Sequence, residues 1–255
     1  NALIIQESLE KLYHWSNEWQ LTISYQKCSV MSIGRSNSND CFNMDSNRVQ
    51  VVCVTKDLGV HVCSDLSFTT HVNTIAAKAH ARACLIHKCF ISRDAVTLTR
   101  AFVAYVRPIH EYASVVWSPC HVNQICKLES VQRRFTKRIA GLRDMPYVER
   151  LKKLQLDSLE TRRLRSDLLF TYKVLFGLAS VDWSSMFTFN STSITRGHSY
   201  KLFGKTSRVN IRHHFFCNRV VNVWNNLPAT DVNFNSFRAF KAFLSNIDLS
   251  AYLRK

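Results

Sequence analysis

The chain has no run of about 20 apolar residues, so no segment is long enough to cross a bilayer as a helix. Its start lacks the basic lead and apolar stretch of a secretory signal; Gln6, Glu7 and Glu10 fall there instead. Proline is missing from residues 1–107. Acids are scarce, 18 against 34 Lys and Arg, for a formal charge of +16. The acids present are scattered: Asp-Asp, Asp-X-Asp and His-Glu-X-X-His do not occur, so a two-cation or zinc-helix active site has no local basis. Gly-X-Ser-X-Gly and a Gly-rich phosphate loop ending in Lys-Ser/Thr are also missing, which removes two common nucleophile and nucleotide motifs. There is no internal repeat and no low-complexity tract.

What is present is a foldable, basic chain. Its 255 residues are 46% hydrophobic, enough for one large domain or two small ones with a real core. The charge favours an anionic partner: nucleic acid, an acidic membrane surface or an acidic protein. Nine irregularly spaced cysteines, an odd number, read as reduced thiols in a cytosolic or nuclear setting rather than a secreted one. Cys84, His87 and Cys89, and Cys120, His121 and Cys126, form clusters without the paired spacing of a zinc module. Cysteine acting as a small buried hydrophobe is the reading there, and no metal is assigned. Residue 1 is Asn and a helix has already begun, so the chain reads as cut from a longer polypeptide.

The pattern predicts an α+β fold, predominantly helical. A helix over 1–19 carries Ile5, Leu9, Leu12 and Trp19 on one stripe; 21–33 reads as a strand or bent strand pair, and 34–47 as a loop. Residues 48–54 and 58–62 read as strands of a small hairpin, with Lys56 and Asp57 between them and Gly59 inside the second strand, where a missing side chain admits another backbone. From Thr70 the period turns helical. Val72, Ile75, Ala79, Ile86 and Phe90 line one side of 70–90, and Asp94 caps a helix running to Val106, which Pro108 interrupts. The stretch 109–117 reads as buried, Ser118-Pro119 as a break, and helices follow over 122–140, 147–154 and 159–176, with Gly141, Ser158 and Gly177 as stop, cap and stop. A polar stretch over 180–210 reads as loop or weak strands, followed by helices over 215–226 and 236–247.

The most informative segment runs from Lys127 to Leu142. At 100° per residue Leu128, Val131, Phe135, Ile139 and Leu142 fall in an arc of roughly 80°, beside a basic arc of Lys127, Arg133, Arg134, Lys137 and Arg138. One face suits a core and the other faces anions. Arg162, Arg163 and Arg165 make a second basic group on the helix carrying Leu164, Leu168 and Tyr172.

These residues, in order, resemble the C-terminal part of the reverse transcriptase of non-LTR (LINE-type) retrotransposons of the jockey and chicken-repeat kind. The resemblance rests on Gln20-Leu21-Thr22, Lys56-Asp57-Leu58-Gly59-Val60, Tyr105-Val106-Arg107-Pro108-Ile109 and Val116-Trp117-Ser118-Pro119. Its most distinctive block is Leu128-Glu129-Ser130-Val131-Gln132-Arg133-Arg134-Phe135. Ser158-Leu159-Glu160-Thr161-Arg162-Arg163, Arg196-Gly197-His198-Ser199 and Trp224-Asn225-Asn226-Leu227-Pro228 continue it, so nearly the whole chain is covered. It implies the end of a polymerase palm with a primer-grip-like hairpin over 1–68, a thumb-like helical region over 69–179 and a C-terminal extension over 180–255. The family's aromatic-Ala-Asp-Asp turn is not in this chain, which implies no polymerase chemistry by itself and no cofactor here; magnesium would belong to the missing catalytic part. His110 stands where an aliphatic residue such as Leu is expected beside Pro108-Ile109.

The implied role is to hold template–primer RNA and DNA without catalysis, inside the cell and without a membrane. Lys56 and Gly59 would grip the primer backbone. Arg133, Arg134, Lys137, Arg138, Arg162 and Arg163 would meet phosphates, and about six such contacts imply affinity falling roughly as the fifth power of salt. The alternative is a protein-interaction module packing against the upstream fingers and palm of the same polyprotein.

Overall fold

The computed structural model describes residues 2–34, 41–190 and 197–254. The fold is α+β and predominantly helical. It divides into two units, Asn1–His71 and Val72–Lys255.

In the first unit α1 (Ala2–Glu18) is followed by two-residue strands β1 (Ser29–Val30), β2 (Asn43–Met44), β3 (Asn47–Arg48) and β4 (Gln50–Val51). The hairpin β5 (Val54–Asp57) and β6 (Val60–Cys63) completes it. β1 pairs with β4 in parallel, and β2 with β3 antiparallel. The predicted strand over 21–33 is thus reduced to two residues after a 3-10 turn at Tyr25–Lys27. The predicted loop over 34–47 contains β2 and part of β3; its residues 35–40 lie outside the described residues. Helix α1 differs in its buried face. Leu9 and Tyr13 pack with Phe42, Met44 and Val49, while Ile5 and Trp19 are 47% and 64% exposed. What selects that face is polar: the Gln6 side chain donates to the Asn43 carbonyl at 2.9 Å and accepts from its amide at 3.0 Å, acting as an extra strand for β2.

In the hairpin Lys56 faces His61 across the register and Asp57 faces Val60, so Leu58 and Gly59 form the turn. Both have positive φ, 43° and 87°, the type I′ geometry that matches strand twist. The expectation of Lys56-Asp57 as the connection and Gly59 inside a strand is therefore corrected: Lys56 is a strand residue, and Gly59 serves the turn.

The second unit is helical. It holds α2 (Thr69–Cys89) beyond its first residues, then α3 (Ala95–Tyr105), α4 (Arg107–Glu111), α5 (Ser114–Trp117) and α6 (Val122–Lys137). There follow α7 (Tyr147–Leu154), α8 (Leu159–Leu175), α9 (Trp183–Met186), α10 (Asn210–His213), α11 (Phe216–Arg219), α12 (Val221–Asn225) and α13 (Phe237–Asn246). The caps are local chemistry. Asp94 accepts from the Thr97 amide at 2.8 Å, Ser158 from Thr161 at 3.1 Å and Ser236 from Ala239 at 3.1 Å. Gly141 and Gly177 take φ of 73° and 69° just past α6 and α8, a conformation that costs glycine little.

Two hydrophobic clusters stand out among the described residues of this unit. One joins Ala79, Ala83 and Ile86 of α2 to Leu98 and Phe102 of α3 and Val131 and Phe135 of α6. The other joins Leu168, Tyr172 and Val174 of α8 to Phe187, Trp224 and Phe240. That second core crosses residue 180: the segment after α8 buries its apolar side chains on α8 itself. The stretch 180–210, unpatterned in sequence, contributes Phe187, His198 and Leu202 to the interior. The amide of Asn225 clips it to α12, donating to and accepting from the Leu202 backbone at 2.8 Å each. His198 donates to the Trp224 carbonyl at 2.8 Å; Arg196, quoted with it above, lies outside the described residues. The single helix predicted over 215–226 is two, α11 and α12, joined at Val220. Within 109–117, Trp117 is buried, yet Tyr112 and Val116 are exposed because Ala113 takes a left-handed φ of 51° between α4 and α5. Cysteines 84, 89 and 126 are exposed rather than buried, and no disulfide forms among the described residues.

His110 is fully buried and neither ring nitrogen has a hydrogen-bond partner. Burial first, then Arg163 and His80, lowers its pKa from 6.5 to about 3. A depressed histidine stabilises the fold fully above its unfolded pKa of 6.5, and that stability drains away as pH falls toward 3. At pH 5 the loss is about 2 kcal/mol, from about 1.4 kcal/mol per unit. His110→Leu removes two unsatisfied nitrogens at similar volume and is expected to stabilise by about 1–2 kcal/mol at pH 7. Urea melts at pH 7 and pH 5 check both effects; a variant no more stable at pH 7 and as acid-sensitive as the wild type would refute the account.

Candidate nucleic-acid interface

Helix α6 buries two arcs. The apolar one ends in Phe135, whose ring lies 4.5 Å from that of His87 and 4.7 Å from that of Phe102. The second is polar: Glu129, Gln132 and Thr136 are all buried. Glu129 accepts from the Tyr147 hydroxyl and from the Leu159 amide at 3.0 Å, so it caps the N-terminus of α8 from outside. Gln132 donates to the Asp157 carbonyl at 2.9 Å. Burial pushes the Glu129 carboxyl up, opposed by Tyr147 and then Arg163. Burial and the adjacent Glu129 raise the Tyr147 phenol, which therefore stays a donor.

With those two arcs inside, the rest of α6 faces water. Lys127, Arg133, Arg134, Lys137 and Arg138 are exposed. Lys127 donates to the Asn73 side chain at 2.5 Å, and Arg133 lies over the Tyr147 ring at 5.1 Å. Among the described residues no acid forms an ion pair with any of the five. Between α2 and the end of α6 runs a groove of about 860 Å³. Its floor is apolar, from Ala83, Val131, Phe135 and Ile139, and its rim is Arg134, Lys137, Arg138 and Arg143. His80 and His87 also line it, and no acid does. Burial first, then Arg134 for His80 and Arg138 for His87, lowers both imidazoles, leaving them neutral at pH 7.

Arg143 and the two histidines were missed from sequence. Their signals are weak: His80, Ala83, Cys84 and His87 share a helical face, and the turn at Gly141 folds Arg143 back toward α6. The second basic group is not the exposed face it was expected to be. Arg163 is 2% exposed, on the buried α8 stripe of Leu159, Arg163, Asp167 and Thr171, where Glu129, Glu160 and Asp167 supply counter-charge. Arg162 is half-buried and paired with Glu111, its Nη2 donating to Oε2 at 3.2 Å; Arg165 pairs with Asp157. These arginines join helices and are not displayed to a large anion. Lys56 and Gly59 are exposed on the hairpin of the first unit.

No helix is long and apolar enough to cross a membrane, and no group of three or more His, Cys, Asp or Glu is placed to hold a metal, both among the described residues. Compared with protein-family models, with curated proteins and with solved structures, the chain has no match in any of the three.

Proposed function

We propose that this chain is a non-catalytic part of a LINE-type RNA-directed DNA polymerase that holds template–primer nucleic acid by its phosphates. The observation that carries the reading is the row of exposed cations at the end of α6, outside every ion pair among the described residues and continued by Arg143. Solvated helices ordinarily mix charges; a face of one sign suits a polyanion. The collinear resemblance of the sequence supplies the polymerase context. Lys56 and Gly59 would meet the primer backbone at the hairpin tip, a contact open to main chain because Gly59 has no side chain.

The test is the salt dependence of RNA–DNA duplex binding, read by fluorescence anisotropy. Five contacts, from Arg133, Arg134, Lys137, Arg138 and Arg143, predict a slope of log affinity on log salt of about −4 to −5. A slope near zero would eliminate the proposal.

A second reading, a module that packs against other polymerase domains, is favoured by one observation. Helix α1 exposes Leu3, Ile4, Ile5, Leu12 and Trp15, with Trp19 just past its end, more apolar surface than a solvated helix carries. The charge-reversal experiment in the Discussion separates the two.

A further inference from the structure

We infer that the groove between α2 and α6 seats an unpaired base of a single nucleic-acid strand, whose phosphates lie along the Arg134–Arg143 rim. The inference rests on the phosphate-holding reading and deepens it. A surface that meets only backbone needs charge and no floor. This groove has a floor, apolar and enclosed by two helices, directly beneath four cations. Paired bases in a duplex offer their faces to one another and leave such a floor unused. An unpaired base presents an apolar face to the floor and to guanidinium planes, and each such contact is sequence-tolerant.

His87 also lines the groove, its ring 4.5 Å from that of Phe135 on the floor. Arg138 reaches Cys84 across the groove, Nη1 to Sγ at 3.9 Å, so the rim already spans both walls.

The experiment uses the full 255-residue chain and two labelled single-stranded RNA oligonucleotides of equal length and charge, one intact and one with abasic sites throughout its centre. Binding is read by anisotropy at fixed salt. Intact RNA is expected to bind about tenfold tighter than abasic RNA, from base stacking alone. Ala140→Trp fills the groove mouth without changing charge and is expected to bring the intact strand down to the abasic affinity. Cys84→Trp does the same from the α2 wall should the first variant lose its thermal transition.

Equal affinities with a steep salt slope would overturn the base pocket while leaving the phosphate-holding reading in place. Failure of either strand to bind in a salt-dependent way would overturn both. A tenfold difference that survives both tryptophans would put the base elsewhere and sink this groove. Competition by a mononucleotide at the same concentration as the oligonucleotide would reassign it to a free nucleotide and overturn the strand.

Discussion

Asp167→Ala is expected to lower the stability of the second unit by about 3–5 kcal/mol, a large share of the 5–15 kcal/mol typical of a domain. The Asp167 side chain on α8 is 5% exposed and accepts two hydrogen bonds from Arg219, from Nε and Nη2, at 2.9 Å each. Arg219 also donates to the Val115 carbonyl at 2.7 Å and the His214 carbonyl at 3.3 Å, so one guanidinium ties α8, α11 and the middle of α5 together. Burial raises the Asp167 carboxyl and Arg219 opposes it. Removing the carboxylate strands Arg219, and leaves Arg163, whose Nη atoms have no hydrogen-bond partner, short of a counter-charge. Breaking one side of such a pair costs far more than the pair contributes, because the remaining charge stays buried. The double variant Asp167→Ala/Arg219→Met is therefore expected to recover part of the loss. Urea unfolding measures both. A single-variant loss below about 1 kcal/mol would show that water already reaches this pair.

The second large effect concerns binding. Arg134→Glu, Lys137→Glu and Arg138→Glu together are expected to weaken RNA–DNA duplex binding by about two to three orders of magnitude near 0.1 M salt. Each lost phosphate contact is worth about eightfold there, and the salt slope should fall to about −2. These three positions are exposed and outside every ion pair among the described residues, so the fold should tolerate reversal. Arg133 is left alone because it lies over Tyr147 and beside buried Glu129, where a new acid would repel an existing one. A change of less than about threefold, with an unchanged melting transition, would remove α6 as the phosphate surface. Loss of association with an acidic polymerase domain, with duplex binding intact, would favour the packing module.

Much of the helical unit was legible because its signals are local. Asp94, Ser158 and Ser236 bond amides three residues on, and Gly141 and Gly177 relax the backbone where a helix ends; each needs only its neighbours in sequence. The apolar stripe of α6 was legible because burial of Val131 and Phe135 repeats at helical spacing. The first unit was less so. Strands of two residues leave no period to detect, and α1 turned to serve a hydrogen-bonded pair between Gln6 and Asn43, 37 residues apart.

The candidate site divides in the same way. That the end of α6 carries an acid-free basic face follows from the residue order alone, since helical geometry places Arg133, Arg134 and Lys137 together whatever surrounds them. Which charges stay in water depends on what each helix packs against. Arg163 carries the same charge as Arg134, yet long-range packing puts it beside Glu129 and Asp167, and α6 buries Glu129 and Gln132 because Tyr147 and Leu159 arrive with hydrogen bonds for them. The groove is likewise tertiary: its lining residues on the two sides are at least 44 positions apart, and the sequence places no neighbour of His87 across from it. Local order therefore determined the longer helices, their capping residues and the sign of the surface, through forces acting over a turn or two. Only the fold decided which cations are exposed, because burial is a property of contacts that the chain makes at a distance.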